Sequence, residues 1–370
     1  MTHPAAGMTF SELAATFHDY VGRGLVSRRT ASDAPHLSTY CYTQRCVVDG
    51  AWDATTMIAR GIVLDHEARE VRALPFPKFF NYGERGGDVP DCLFVAEEKM
   101  DGSLGIVFYD GTRWRCATKG SLDSEQARWA SQRIPDGLER GHTYLFEIIY
   151  QANRIVVPYA FEGLVLLSAY TMTGHEWHAE EVDELAARVG VRRPQRATFA
   201  TFADMLREVD GFKADREGYV VRFEDGTRLK VKGAEYLRVH RLLSRVTPLG
   251  VWDVLSSGDD WRAVMAQLPD EFHGDFRKLV DLLNAKVDAS VAAVDKAARE
   301  LSGMSDKDVG MRLSTLRRDV QKFIFRARKL SAWEAEPKTR EHLWRMHRPT
   351  GNVLDGYKPT GAIARLSDEG

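Results

Sequence analysis

No apolar run in this 370-residue chain approaches the ~18 residues that a membrane-spanning helix needs, so none is expected. Cysteine is scarce: Cys41, Cys46, Cys92 and Cys116 lie in strand-like apolar stretches without metal-ligand spacing. They read as reduced core residues, which sets aside a metal or redox role. Net charge is nearly absent, at -2. That argues against a wholesale polyanion binder but leaves room for a local basic groove, because steering depends on where charge sits. No G-x-x-x-x-G-K-S/T segment occurs, which excludes a P-loop kinase. There is no internal repeat and no low-complexity segment. The opening "MTHPAAGMTFSELAATFHDYV" lacks a basic start and a long apolar centre. It reads as an amphipathic helix, not a signal peptide, and a cytoplasmic protein is expected.

What is present is 44% hydrophobic and 28% charged residues, a length that suits two domains of roughly 100–200 residues each. From about residue 36 to 232 the chain is dense in short runs rich in β-branched and aromatic residues. They include "LSTYCYTQRCVV", "TMIARGIVLD", "CLFVAEEK", "LGIVFYDG", "RWRCATKG", "TYLFEIIY", "GLVLLSAY", "GYVVRFEDG" and "TRLKVKG". Helices are expected among them near 123–133, 178–189 and 200–209, the first opened by Ser121. The pattern predicts an α+β fold with mostly antiparallel strands and flanking helices. After Lys232 the strands stop. Phe272, Phe276, Leu279, Leu283, Val287, Val291, Val294 and Leu301 recur mostly every three or four residues, as one face of a long helix does. Further helices are expected at 233–245, 258–268, 310–330 and 333–346, and Pro248 suggests a boundary. The tail "RPTGNVLDGYKPTGAIARLSDEG" reads as a surface loop. The outline is a β-rich domain over residues 1–245 and an all-helical domain over 246–370.

Chemistry concentrates in the first of these. "AEEKMDGSLG", residues 96–105, sets Lys99 between two glutamates and an Asp-Gly-Ser turn. Alone, Asp101-Gly102 is an ordinary hairpin signal. Yet "TYLFEIIY" places Glu147 inside an apolar strand, a costly position for a carboxylate without a partner. Glu217-Gly218 begins another strand, and Glu217 can bind a divalent ion. Lys230 and Lys232, two apart, share one strand face and can bind a phosphate. Upstream, "ARGIVLD", "PFPKFFNYGE" and "TKGS" supply Arg60, Lys78 and Lys119. Separately each has a structural reading, the lysine pair as a solvated strand face. Together they are hard to dismiss. The His175-Glu176-Trp177-His178 cluster, beside a helix start, reads as surface.

Lys99-x-Asp101-Gly102-Ser103, Phe146-Glu147-Ile148, Glu217-Gly218-Tyr219-Val220-Val221 and Leu229-Lys230-Val231-Lys232, in that order, resemble the motifs of covalent nucleotidyltransferase ligases. "RGIVLD", "PFPKFFNYGE", "TKGS" and "FEIIYQANRIVVPY" narrow the resemblance to the phage RNA ligase 1 family, the tRNA-repair type, over about residues 40–245. The resemblance implies an ATP-dependent RNA ligase using ATP and Mg²⁺, or Mn²⁺. Lys99 would attack the α-phosphate of ATP to give lysyl-AMP and pyrophosphate. AMP would pass to an RNA 5′-phosphate, and a 3′-hydroxyl would displace it. Glu147 would hold the ribose, Glu217 the metal, and Lys230 and Lys232 the α-phosphate. Arg60, Lys78 and Lys119 would contact the triphosphate, Val220 would pack on the adenine, and Tyr236 matches a further active-site position. Asp101 is assigned to the strand-joining steps. Partial burial, neighbouring cations and the metal would lower the Lys99 pKa from its ordinary value of about 10.4. The implied partners are RNA ends, nicked tRNA among them, and a separate end-healing kinase or phosphatase. A monomer in a bacterial or phage-infected cytoplasm is expected.

A DNA ligase or capping enzyme shares the lysine motif but would continue into a strand-rich OB-fold, where helices follow here. A non-catalytic RNA-binding protein with a decayed ligase fold would have lost chemical positions that this chain retains. In the helical region, residues 311–330 carry Arg312, Arg317, Arg318, Lys322, Arg326, Arg328 and Lys329. On one continuous helix they would oppose an apolar face of Leu313, Leu316, Val320, Phe323 and Ile324, leaving a basic side for an RNA backbone or for solvent.

Overall fold

The computed structural model describes residues 2–86, 89–268, 272–350 and 353–358. Contacts within the chain divide it into two compact units, the first ending at Arg238 and the second beginning at Val239.

The first unit is α+β. Helix α1 (Phe10–Gly22) opens with a capping box, in which Thr9 and Glu12 satisfy each other's amides, and it buries Leu13 and Phe17. Strands β1 (Val26–Thr30) and β2 (Leu37–Tyr42) follow. The run read as a strand over 37–48 ends at Tyr42. There the Thr43 hydroxyl accepts the Cys46 amide and starts helix α2 (Gln44–Val48). Asp53 likewise caps α3 (Ala54–Ile58), so the run 56–65 is a helix end followed by β3 (Arg60–Asp65). With β4 (Glu70–Ala73), these strands form an antiparallel sheet in the order β1-β2-β3-β4.

Next come β5 (Phe80–Asn81), β6 (Phe94–Glu98), β7 (Ser103–Tyr109), β8 (Trp114–Thr118), α4 (Glu125–Ser131), β9 (His142–Ile149) and β10 (Gly163–Thr171). Helix α4 is capped by Ser124, not Ser121, because the Ser124 hydroxyl accepts the Ala127 amide. Helix α5 (Ala179–Val189), strand β11 (Arg196–Ala197), α6 (Phe202–Asp210), β12 (Gly218–Phe223), β13 (Arg228–Lys232) and α7 (Ala234–Leu243) complete the list to the boundary. The second sheet runs β10-β9-β7-β8, and the third runs β11-β6-β12-β13-β5. All pairings are antiparallel except β5 with β13.

Strand alternation gives each sheet one dry face and one face with chemistry. In the third sheet Ala96, Tyr219, Val221, Phe223 and Val231 bury with Met205 and Val209 of α6. Lys230, opposite Val220, and Lys232, opposite Gly218, occupy the other face. In the second sheet Tyr144, Phe146, Ile148 and Leu166 bury with Ala130, Val182 and Leu185 of the flanking helices. Glu147, one position out of phase, faces the opposite way.

The second unit is helical among its described residues: α8 (Pro248–Ser257), α9 (Trp261–Met265), α10 (His273–Glu300), α11 (Asp306–Arg312), α12 (Arg318–Ala327) and α13 (Pro337–Met346). Pro248 does not break the chain there. It fills the first turn of α8 behind the Thr247 cap, where its missing N–H costs nothing. The expected helix over 310–330 is interrupted, because Leu316 and Arg317 adopt extended backbone between a short 3-10 turn and α12. Val294, Val309, Val320, Phe323, Ile324, Trp333 and Leu343 form this unit's core. The described part of the tail is pinned instead of looping over the surface: Leu354 and Tyr357 are buried, and the Tyr357 hydroxyl donates to Asp275 at 3.1 Å. The rest of that tail lies outside the described residues. Among the described residues no helix is long and apolar enough to cross a membrane.

Candidate active site

Lys99 stands where the chain leaves β6 of the third sheet and turns into β7 of the second. Its amide donates to the Gly218 carbonyl at 2.9 Å. Its ammonium meets Glu217 Oε2 at 2.8 Å, and Lys232 Nζ meets the other oxygen of Glu217, also at 2.8 Å. One buried carboxylate therefore bridges two lysines. Glycine permits this closeness: Gly218 has φ +145°, and a Cβ there would lie 1.9 Å from the Val231 carbonyl. At Gly102 a Cβ would lie 2.5 Å from the Ile148 carbonyl, and the Gly102 amide donates to Glu147 at 3.0 Å.

Asp101 is anchored on every side. Oδ2 accepts the amides of Val156 and Val157, each at 2.8 Å, and Oδ1 accepts the Tyr236 hydroxyl at 2.9 Å. The Asp101 amide donates to the Tyr159 hydroxyl at 2.7 Å, and Ser103 donates to buried Asn153 at 3.1 Å. The stretch "YQANRIVVPY" thus wraps the lysine turn and fixes it. Burial and the Glu217 charge push the Asp101 carboxyl up to about 6, against the pull of the two amides. Its contacts are those of a residue that positions the loop.

The electrostatics around Lys99 reverse the expectation of a lowered pKa. Burial does pull the amine down, but Glu217 and Glu147 outweigh it and hold the amine above its usual range. The cause is local, since the nearest charges are carboxylates and not cations. For Glu217 burial favours the neutral acid, and the two ammoniums prevail, keeping it below the ordinary carboxylate range.

A few residues away the balance is opposite. Arg60, Lys78, Lys119 and Lys230 are half-buried, and none has an ion-pair partner among the described residues. They lie over aromatic rings instead. Lys78 Nζ is 5.0 Å from the Trp52 centroid and 4.9 Å from that of Phe80. Lys119 lies 5.3 Å from Tyr42, while Arg60 and Lys230 lie 5.6 and 4.8 Å from Phe79. Such faces stabilise a cation by about 0.5–2 kcal/mol without neutralising it. Burial, then Arg60 and the neighbouring lysines, pull the Lys230 pKa well below its ordinary value. Lys78 is lowered too, by burial first, with Arg60 and Lys119 adding to it against Glu84. Cations held together without counter-charge make a site for a polyanion.

The residues that the sequence assigned to the nucleotide site therefore fall near one another, in two distinct settings. Lys99, Lys232, Glu217, Glu147, Asp101 and Tyr236 make a carboxylate-rich corner; Arg60, Lys78, Lys119 and Lys230 make a cationic one. Val220 is half-buried on the same sheet face as Lys230. Each oxygen of Glu217 faces one ammonium, so a divalent ion there would either share the carboxylate with Lys99 and Lys232 or displace one of them. Sequence reasoning missed the aromatic support from Tyr42, Trp52, Phe79 and Phe80, although "PFPKFF" brackets its lysine with that signal. It also missed Arg228, half-buried beside Lys230 and paired with Glu176 at 2.6 Å. The His175 and His178 side chains are exposed, with Glu181 beside them.

The antiparallel α+β fold thus gathers a lysine, one bridging carboxylate and a group of cations without ion-pair partners among the described residues. Residues 58–236 match the family described as RNA ligase, just under half of the chain. RNA ligase 1 of bacteriophage TS2126 is 31% identical over 227 residues, covering 52% of this chain and 53% of that protein. A putative RNA ligase of Thermovibrio ammonificans is 26% identical over 203 residues, covering 49% and 52%. The chain spans about half the length of these curated relatives. Among solved structures, an archaeal ATP-dependent RNA ligase aligns with a TM-score of 0.48 at 15% identity, over 96% of this chain and 95% of the other.

Proposed function

We propose that this chain is an ATP-dependent RNA ligase that joins a 3′-hydroxyl to a 5′-phosphate through lysyl-AMP and RNA-adenylate intermediates, in RNA or tRNA repair. The observation that carries this reading is the single turn on which a glutamate-bound lysine adjoins a group of cations without counter-charge. ATP fits that asymmetry. Its phosphates supply the negative charge that Arg60, Lys78, Lys119 and Lys230 lack, with Glu147 toward the ribose and Val220 against the adenine. A divalent cation fits where the Lys99 ammonium now serves as counter-ion to Glu217, because carboxylate oxygens suit Mg²⁺. When bound, Mg²⁺ would offset charge on the phosphates.

Lys99 attacks only after losing its proton and its hold on Glu217. Once Glu217 is engaged elsewhere, the largest charge holding the proton on the amine is gone, and burial is opposed only by Glu147 and Asp101, which favours the neutral form more than before. Lys230 and Lys232 then offset charge on the transferred phosphate as lysyl-AMP forms and pyrophosphate leaves. AMP passes from Lys99 to the RNA 5′-phosphate, and the 3′-hydroxyl displaces it. Asp101 acts through position: its hydrogen bonds hold the turn that carries Lys99. The first unit is the adenylyltransferase, and the second is assigned to RNA recognition.

Incubation with α-labelled ATP and Mg²⁺, followed by denaturing electrophoresis, tests the reading. Covalent AMP on the protein and closure of a nicked RNA are expected. A protein that binds RNA but takes up no label would instead be a decayed ligase fold.

A further inference from the structure

The proposed chemistry leaves one basic recess in the helical unit without a role. It lies between α12 and α13 and encloses about 540 Å³, within the roughly 300–1,000 Å³ of ligand pockets. Lys322, Arg326, Lys329, Lys338 and His342 line it with no acidic residue among the lining groups. Some of that charge is spent within the fold. Arg326 pairs with Glu336 at 2.5 Å, and Lys329 reaches Asp306 at 3.6 Å. Lys322 and Lys338 have no ion-pair partner among the described residues. They are exposed and sit on different helices, so they meet the recess from two sides. Phe325, half-buried at the wall, offers an apolar surface beside them.

The break at Leu316 and Arg317 bears on this choice. It ends the uniform basic stripe expected over 311–330. Arg317 is held by Asp319 at 2.6 Å, and Arg328 by Asp306 and by the Leu301 and Met304 carbonyls. Arg312 and Arg318 are exposed but do not line the recess, whose cations without an ion-pair partner among the described residues are Lys322 and Lys338.

We infer that the recess between α12 and α13 holds the phosphate backbone of single-stranded RNA, with Lys322 and Lys338 on phosphates and Phe325 against a nucleotide. Cations from two helices exceed the charge of one phosphate, and a chain with one charge per nucleotide matches them. The choice of RNA over another polyanion rests on the ligase reading above. A free nucleotide shares the same phosphate chemistry, so the test separates the two.

In the full chain, Lys322→Ala with Lys338→Ala is compared with the corresponding double arginine variant. Affinity for a 5′-labelled single-stranded RNA is measured across a salt series, alongside lysyl-AMP formation. The alanine pair should weaken RNA binding about tenfold near physiological salt. It should also flatten the logarithmic salt slope by about 1.4, at roughly 0.7 per contact. The arginine pair should keep both, and AMP labelling should be unchanged in either. Unaltered RNA affinity and slope would overturn the inference. So would weaker binding of ATP with RNA binding intact, which would make the recess a free-nucleotide site. If no variant takes up AMP while the salt slopes still differ, the ligase reading fails and the recess stands.

Discussion

Lys230 and Lys232 lie two residues apart on one face of β13, yet their surroundings are opposite. Lys232 is neutralised by Glu217 at 2.8 Å. Lys230 has no carboxylate partner among the described residues and rests over Phe79. The same division runs through the whole site, with carboxylates around Lys99 and bare cations around Lys78. A paired buried charge helps hold a fold together, since removing either partner strands the other. An unpaired one costs stability and persists where a ligand supplies the missing charge. Burial and charge type alone do not separate the two; pairing does.

Substitutions can break or sharpen that contrast. The largest effect is expected at Lys230. Lys230→Ala should slow lysyl-AMP formation by about a thousandfold, as loss of a charged transition-state contact does. Its melting temperature should hold or rise, because a half-buried cation without a counter-charge among the described residues is gone. Lys232→Ala should slow the step by about a hundredfold and also destabilise the fold by about 2 kcal/mol, since Glu217 loses one of its two partners. Equal melting temperatures for the two variants would dissolve the distinction.

Lys78→Ala should raise the KM for ATP about tenfold with little change in kcat, the pattern of a contact made equally in ground and transition states. A fall in kcat alone would move Lys78 from binding to chemistry. The smallest expected effect is a change of pH profile. Glu217 raises the Lys99 pKa, so the pair stabilises the fold below the amine's ordinary value of about 10.4. That contribution is lost as pH climbs through the raised value. In Glu217→Gln the largest raising charge is removed, leaving Glu147 and Asp101 against burial. Single-turnover lysyl-AMP formation, though slower, should reach half its maximum at a lower pH than in wild type. An unmoved or upward-shifted profile would remove Glu217 as the group that holds the proton on Lys99.

Much of this arrangement was legible in the sequence, because strand alternation is a local signal. The two-residue spacing of Lys230 and Lys232 puts both on one strand face, and Glu147 stands out as a carboxylate inside an apolar strand. Short helices were harder: α2 and α3 are each set by one capping residue, Thr43 and Asp53, inside apolar runs that also suit strands. Pairing was not legible at all. That Glu217 bridges Lys99 and Lys232, so that the Lys99 pKa rises instead of falling, depends on contacts across 118 residues of chain. The interruption at Leu316 was hidden for a similar reason, since Asp319 near the start of α12 is satisfied by Ser290 of α10 at 2.9 Å.

The most direct test of the central claim is the fate of Lys99 itself. Lys99→Ala should accept no AMP from α-labelled ATP, and Lys99→Arg should fail as well, because a guanidinium stays protonated and cannot attack. Both should still seal an RNA strand supplied already adenylated. In the wild-type protein, peptide mapping should locate the label on Lys99. Normal labelling of the alanine variant, or AMP mapped to another residue, would contradict the account.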